Sequence, residues 1–272
     1  MKYIYIILLS VGFVLESRAQ QEETAESSLT LAAIYGSTAN YFGQTTTEKL
    51  PYLMSYGAYQ FKSGIYLSAS ALTLLQNTTG IASVDLSAGY SFTPITNLEG
   101  NVSYTRSFYQ SNVPLLQASN ENNINAELAF THFLKSGVSA DYAFGKESDV
   151  FVTFTNSKLI SLGSISENDL ISIEPAFSLI GGTQRFYQTY TKAKKDKFLD
   201  PLFPGKGPKP EVTTVESTEF DMLAYTLSLP LAYSRASYTV EAAYNATLAG
   251  KRLEGGSDKP VSIFNLSFYY MF

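Results

Sequence analysis

The sequence predicts an all-β fold, a transmembrane antiparallel up-and-down barrel of about twelve strands within a range of ten to fourteen. Three observations predict it. Apolar and polar residues alternate with a period of two along most of the chain, and successive side chains of a strand point to opposite faces. Short turns alternate with mostly longer connections. The chain ends on an alternating strand, V-S-I-F-N-L-S-F-Y-Y-M-F.

The elements follow in order. Residues 1–19 read as a signal peptide: Lys2 opens it, residues 3–15 are apolar, and Ser17 and Ala19 stand where cleavage after Ala19 needs small side chains. Glu16 and Arg18 are unusual so near a cut. A membrane anchor is the alternative, but the apolar run falls short of the roughly 20 residues that span a bilayer. Residues 20–27, Q-Q-E-E-T-A-E-S, read as a short periplasmic lead, and 28–272 as a single barrel domain.

The clearest alternation runs over residues 82–93, where Ala82, Val84, Leu86, Ala88, Tyr90 and Phe92 face away from Ser83, Asp85, Ser87, Gly89, Ser91 and Thr93. Residues 223–233 and 238–248 repeat it, with Leu223 and Tyr238 opening their apolar faces; 124–134 and 138–144 follow the same rule. Residues 29–35, 65–75, 98–108 and 171–179 do so less cleanly. Residues 52–61 and 150–162 are strand-like with blurred faces, and a bulge is expected near Asn156, where the apolar parity slips. Gly181-Gly182 lies within a strand and predicts a bulge or a packing contact against a bulky neighbour. Short turns fall at 62–64, 94–97, 135–137, 164–169 and 235–237. Longer connections lie near 44–51, 111–122, 190–218 and 250–260, with brief ones near 77–80 and 146–149. Both termini fall on the short-turn side, so the strand number is even. A secreted β-sandwich also alternates. Strands of about 11 to 13 residues suit a tilted bilayer crossing better, and aromatics gather near strand ends, where interface girdles sit.

In the last strand, Phe264, Leu266, Phe268, Tyr270 and Phe272 share one face, against Ile263, Asn265, Ser267, Tyr269 and Met271. This ending resembles the C-terminal assembly signal of bacterial outer-membrane β-barrels, with Phe268, Tyr270 and Phe272 as its residues. The resemblance covers the mature chain at the level of architecture. It implies an outer-membrane location, lipid and lipopolysaccharide around the wall, the barrel-assembly machinery as a partner, and short turns on the periplasmic side.

Composition narrows the function. Removal of residues 1–19 takes away Lys2, Glu16 and Arg18 and leaves 17 basic against 23 acidic residues, a net of −6, which argues against nucleic acid. The chain has no cysteine, so lipidation at cysteine, disulfides and thiolate metal sites are excluded. It has one histidine, His132, on the outward parity of Phe130 and Leu134 beside a short turn. An interfacial ring is the favoured reading there, and a lipid-facing general base the alternative. No metal, cofactor or enzymatic activity is expected: there is no D-x-D-x-D-G loop, no phosphate-binding glycine loop and no dinucleotide fingerprint.

If apolar faces meet lipid, six carboxylates face inward: Asp85, Glu99, Glu127, Asp141, Glu174 and Glu241. No lysine or arginine is expected at such a position, and Arg106 and Arg185 carry outward parity near the loop ends. The interior is therefore either wet, or its acids meet cations from a loop. The segment T-K-A-K-K-D-K-F-L-D-P-L-F-P-G-K-G-P-K-P supplies such cations at Lys192, Lys194, Lys195, Lys197, Lys206 and Lys209. It is either a solvated surface loop or, through Phe198, Leu199, Leu202 and Phe203, a plug or the contact for an extracellular or periplasmic protein partner. Two functions are expected: a narrow channel for small polar or cationic solutes with an acidic lumen, or a non-conducting scaffold, adhesin or anchor that works through its loops.

Overall fold

The computed structural model describes residues 26–39, 49–75, 80–110, 120–146, 148–183, 220–250 and 259–272. The expected signal peptide, the loop at 190–218 with Lys192, Lys194, Lys195, Lys197, Phe198 and Phe203, and Arg185 lie outside these residues.

Fourteen strand segments are present among them: β1 (Ser28–Gly36), β2 (Tyr52–Gln60), β3 (Ile65–Leu74), β4 (Ile81–Ile95), β5 (Leu98–Tyr109), β6 (Asn122–Thr131), β7 (Lys135–Phe144), β8 (Ser148–Ser157), β9 (Ile160–Gly163), β10 (Asp169–Ile173), β11 (Ala176–Thr183), β12 (Phe220–Arg235), β13 (Tyr238–Ala249) and β14 (Val261–Met271). Segment β8 runs on into β9, and β10 into β11, so the wall has 12 staves. Each stave pairs antiparallel with the next, and β1 pairs with β14 to close the ring, from Thr30 opposite Met271 to Gly36 opposite Asn265. Closure leaves no long free edge, which a lipid environment requires because it offers no water to unpaired backbone groups.

The two interruptions share a cause. Pro175 has no N–H to give the ladder, and it stands at the break between β10 and β11, level with Lys158 and Leu159. Its carbonyl still accepts from Lys158 N at 3.2 Å, and Glu174 N donates to Pro230 O at 3.2 Å, so the staves stay joined. The bulge expected near Asn156 is absent. The β7–β8 register is constant from Lys135 opposite Ser157 to Phe144 opposite Ser148. The apolar parity slips there because Phe151 points inward and is buried, while Phe154 points outward.

Register shifts occur at four other places, at Leu72/Thr73, Phe92/Ile95, Ile171/Ser172 and Ile180/Gly181, and the first and last each turn an expected outward residue inward. Between Leu72 and Thr73 the pairing jumps from Ser83 to Ile81, leaving Ala82 as the extra residue. Between Ile180 and Gly181 it jumps from Ala224 to Met222, leaving Leu223 as the extra residue. Ala82 is 2% exposed and Leu223 1%, so their expected outward placement is corrected. The Gly181-Gly182 pair serves both roles read from the sequence: it sits at this bulge, and a Cβ on Gly182 would run into the Phe151 ring and the Leu223 side chain. Hairpin turns use the left-handed conformation at Gly64 (φ 89°), Asn97 (φ 68°) and Ala236 (φ 49°).

Outward positions carry an apolar belt. Leu31, Leu67, Leu86, Val102, Ile124 and Val138 are all exposed, and Leu227, Leu231, Val240, Leu266 and Phe268 continue the belt to the seam. So large an apolar surface is unsuited to water and suited to hydrocarbon.

Candidate functional site: the inner wall

The inner wall has two unlike parts. Strands β1, β2, β3 and β14 turn Ile34, Met54, Tyr52, Tyr56, Leu74 and Tyr269 inward into one packed cluster, with Ile34 0% and Met54 1% exposed. This explains the blurred faces of residues 52–61, since Leu53 and Tyr59 are apolar on the outside as well. The remaining staves turn mostly Ser, Thr, Asn and carboxylate groups inward, apart from a buried group of Phe151, Ile180 and Leu223.

All six acids stand on this inward parity, each held differently. Asp85 is buried, and its Oδ2 accepts from Ser70 Oγ at 3.2 Å. Asp141 Oδ1 accepts from Asn123 Nδ2 at 3.0 Å and Asn125 Nδ2 at 3.1 Å, an amide pair from the neighbouring strand. Glu127 stands opposite Asn101 on one side and Ser139 on the other. Glu99 forms an ion pair with Lys135 at 2.5 Å. Glu174 accepts from Ser157 Oγ at 2.7 Å and lies within the field of Lys135. Glu241 is buried opposite Ala232 and Ser267 and feels the charge of Glu174.

Sequence reasoning missed two members of this wall. Lys135 was placed in a turn, but it is the first residue of β7 and shares the parity of Ser139 and Asp141. An inward cation is therefore present at a strand end. Asp149, also placed in a connection, is a further buried inward acid. It accepts from Asn120 Nδ2 at 2.9 Å and from Thr183 Oγ1 at 2.7 Å. Its parity with Phe151, Thr153 and Thr155 is the signal that could have found it. Glu99, Lys135, Ser157, Glu174 and Glu241 form an arc along the inner wall towards its short-turn end, with Asp141, Asp85 and Asp149 nearer the other end.

Two groups lie outside the barrel. Arg106 keeps its outward register, donates to Glu121 Oε2 at 2.6 Å and Asn122 Oδ1 at 2.9 Å, and lies over the Phe108 ring. His132 is exposed beside its turn, against the rings of Phe130 and Phe133. Its Nε2 is 2.9 Å from Ser136 Oγ, a distance that suits a nucleophile and its base. The proton placement does not suit them. Leu134 N donates to His132 Nδ1 at 3.2 Å, so Nε2 carries the ring proton and donates to Ser136 Oγ. Ser136 Oγ in turn donates to Asn156 Oδ1 at 2.6 Å. In this arrangement the imidazole has no lone pair for the serine proton.

A closed antiparallel ring with an apolar outside, a partly polar inside and short turns at one end is the outer-membrane β-barrel architecture, and this chain is a multi-pass transmembrane barrel of that kind. No family model matches the chain, and no curated protein does. Among solved structures it is similar to the KdgM porin, at 10% identity and a TM-score of 0.49 over 89% of this chain and 99% of that one. The NanC porin gives 10% identity and a TM-score of 0.49 over 89% and 98%. LpxR from Salmonella typhimurium gives 9% identity and a TM-score of 0.47 over 90% and 100%.

Proposed function

We propose that this barrel is a narrow channel for small polar or cationic solutes, with its path along the polar inner wall. The observation that carries this reading is the one-sided sign of that wall. Among the described residues, Lys135 is the one Lys or Arg at an inward strand position, against Asp85, Glu99, Glu127, Asp141, Asp149, Glu174 and Glu241. A carboxylate-lined path concentrates cations and repels anions. The apolar cluster around Ile34 and Met54 closes the other part of the inner wall to polar solutes and supports a narrow path.

The test is single-channel recording of the refolded chain across a potassium chloride gradient. Steady steps with a cation-selective reversal potential are expected. Glu127→Gln together with Asp141→Asn should lower the cation-to-anion permeability ratio by about two-fold or more, and Lys135→Met should raise it. Unchanged selectivity in both the double variant and Lys135→Met would refute the role of the acids. A folded barrel that never conducts would refute the channel and leave the second reading, a scaffold or anchor that works through its loops. The burial of Asp85, Asp149 and Glu241 within the wall is the observation that favours that second reading.

A further inference from the structure

The outer wall carries a polar notch in its apolar surface near one short turn. Along a single row of the sheet, Phe130 stands opposite Ser136, Ser136 opposite Asn156, and Asn156 opposite Phe177. All four are on outward parity. Just beyond them, at the short-turn end, lie His132 and Lys158, both exposed. Lys158 Nζ donates to Phe133 O at 3.1 Å, which folds the exposed ammonium back against the turn. Phe133 projects beside it as one of the most exposed large side chains of the wall.

The hydrogen-bond chain through this notch has a direction. His132 Nε2–H donates to Ser136 Oγ, and Ser136 O–H donates to Asn156 Oδ1. The Asn156 carbonyl oxygen is thereby occupied, so its NH₂ group is what the wall presents outward. That group has no protein partner among the described residues. An amide donor on a lipid-facing wall is unfavourable unless an acceptor reaches it. At the interface the acceptors at hand are headgroup oxygens, and an ammonium two residues further along the same face favours an anionic one.

We propose that Asn156 and Lys158 bind the phosphodiester of a membrane phospholipid, with His132 and Ser136 as positioning residues that fix the Asn156 amide. Phe130, Phe177 and Phe133 flank the notch where acyl chains and glycerol would lie. The site is independent of whether the lumen conducts.

The experiment is native mass spectrometry of the full chain refolded into vesicles of phosphatidylglycerol and then released into detergent. The wild-type barrel should retain bound phosphatidylglycerol, and Asn156→Leu with Lys158→Met should cut the retained fraction by about five-fold. Lys62→Met, at a different short turn, should leave it unchanged, and Lys158→Arg should preserve most of it. Ser136→Ala, which frees the amide to rotate, should weaken retention without removing either donor. Heat-modifiable gel mobility identifies the folded fraction of each variant, and Lys158→Met alone serves if Asn156→Leu does not fold. Equal retention by wild type and the Lys158→Met variant overturns the proposal. So does equal retention of diacylglycerol, which lacks the phosphate, or full displacement by millimolar inorganic phosphate, which would make the notch a site for the free ion.

Discussion

Lys135 Nζ lies 2.5 Å from Glu99 Oε2 on the inside of the barrel, with both side chains largely withdrawn from water. The pair joins β7 to β5 across β6, and Lys135 also acts on the charge of Glu174, at the break between β10 and β11. Removing the lysine strands Glu99 in a wall whose other described charges are all negative. Lys135→Met should therefore lower unfolding stability by about 1–3 kcal/mol, read from urea titration in lipid vesicles. Adding Glu99→Gln should recover part of that loss, with a coupling of about 1 kcal/mol. A strictly additive double variant would mean that the two groups do not depend on each other.

Gly182 marks the tightest contact between the staves at the bulge beside Ile180 and Gly181. Its missing side chain leaves room for Phe151 from β8 and Leu223 from β12, and a Cβ there would also lie 2.8 Å from the Val150 carbonyl oxygen. That oxygen belongs to the ladder and cannot move far. Gly182→Ala should destabilise the barrel by about 1–3 kcal/mol through overpacking. Phe151→Ala should cost about 3–5 kcal/mol by leaving a cavity. In the double variant the overpacking is relieved, so its loss of stability should be smaller than the sum of the separate losses. Urea midpoints of the three proteins decide this.

The ring and its inner acids were legible because a period of two survives in most strands. Leu86, Asp85 and Ser87 can be sorted by parity alone, and so can Leu266 and Ser267. What parity could not show is where it is broken. Ala82 and Leu223 look like their outward neighbours, and only the bulges beside them turn them inward. Phe151 looks like a fault in the pattern because its partner, Gly182, is over thirty residues away in sequence. Lys135 is hidden for a different reason: a lysine next to Ser136-Gly137 reads as a turn residue. The register with Ser157 makes it a wall residue.

Met54 tests how far the apolar part of the inner wall limits the path. It is 1% exposed, packed with Ile34 and Leu74. Truncation to Ala should cost about 2–4 kcal/mol if the neighbours hold their places. If the cluster borders the conducting path, Met54→Ala should also raise single-channel conductance while leaving selectivity unchanged, because no charge is altered. A stability loss with identical conductance would place the path wholly along the polar staves.

Leu266 and Ser267 are neighbours in β14, yet Leu266 is 53% exposed and Ser267 is 3% exposed. In water, an exposed leucine is a tolerant position, and replacement by arginine would shift stability by about 0.5 kcal/mol or less. On a lipid-facing wall near mid-strand, the same change puts a guanidinium into hydrocarbon at about 2–4 kcal/mol. Leu266→Arg should therefore lower stability in vesicles by that amount and slow insertion, whereas Lys62→Ala at a short turn should do neither. The comparison is made by urea titration in bilayers and by the rate at which the heat-modifiable form appears after dilution from denaturant. A neutral Leu266→Arg would contradict the lipid-facing assignment of the whole β14 face, since Phe264, Phe268 and Tyr270 share its parity.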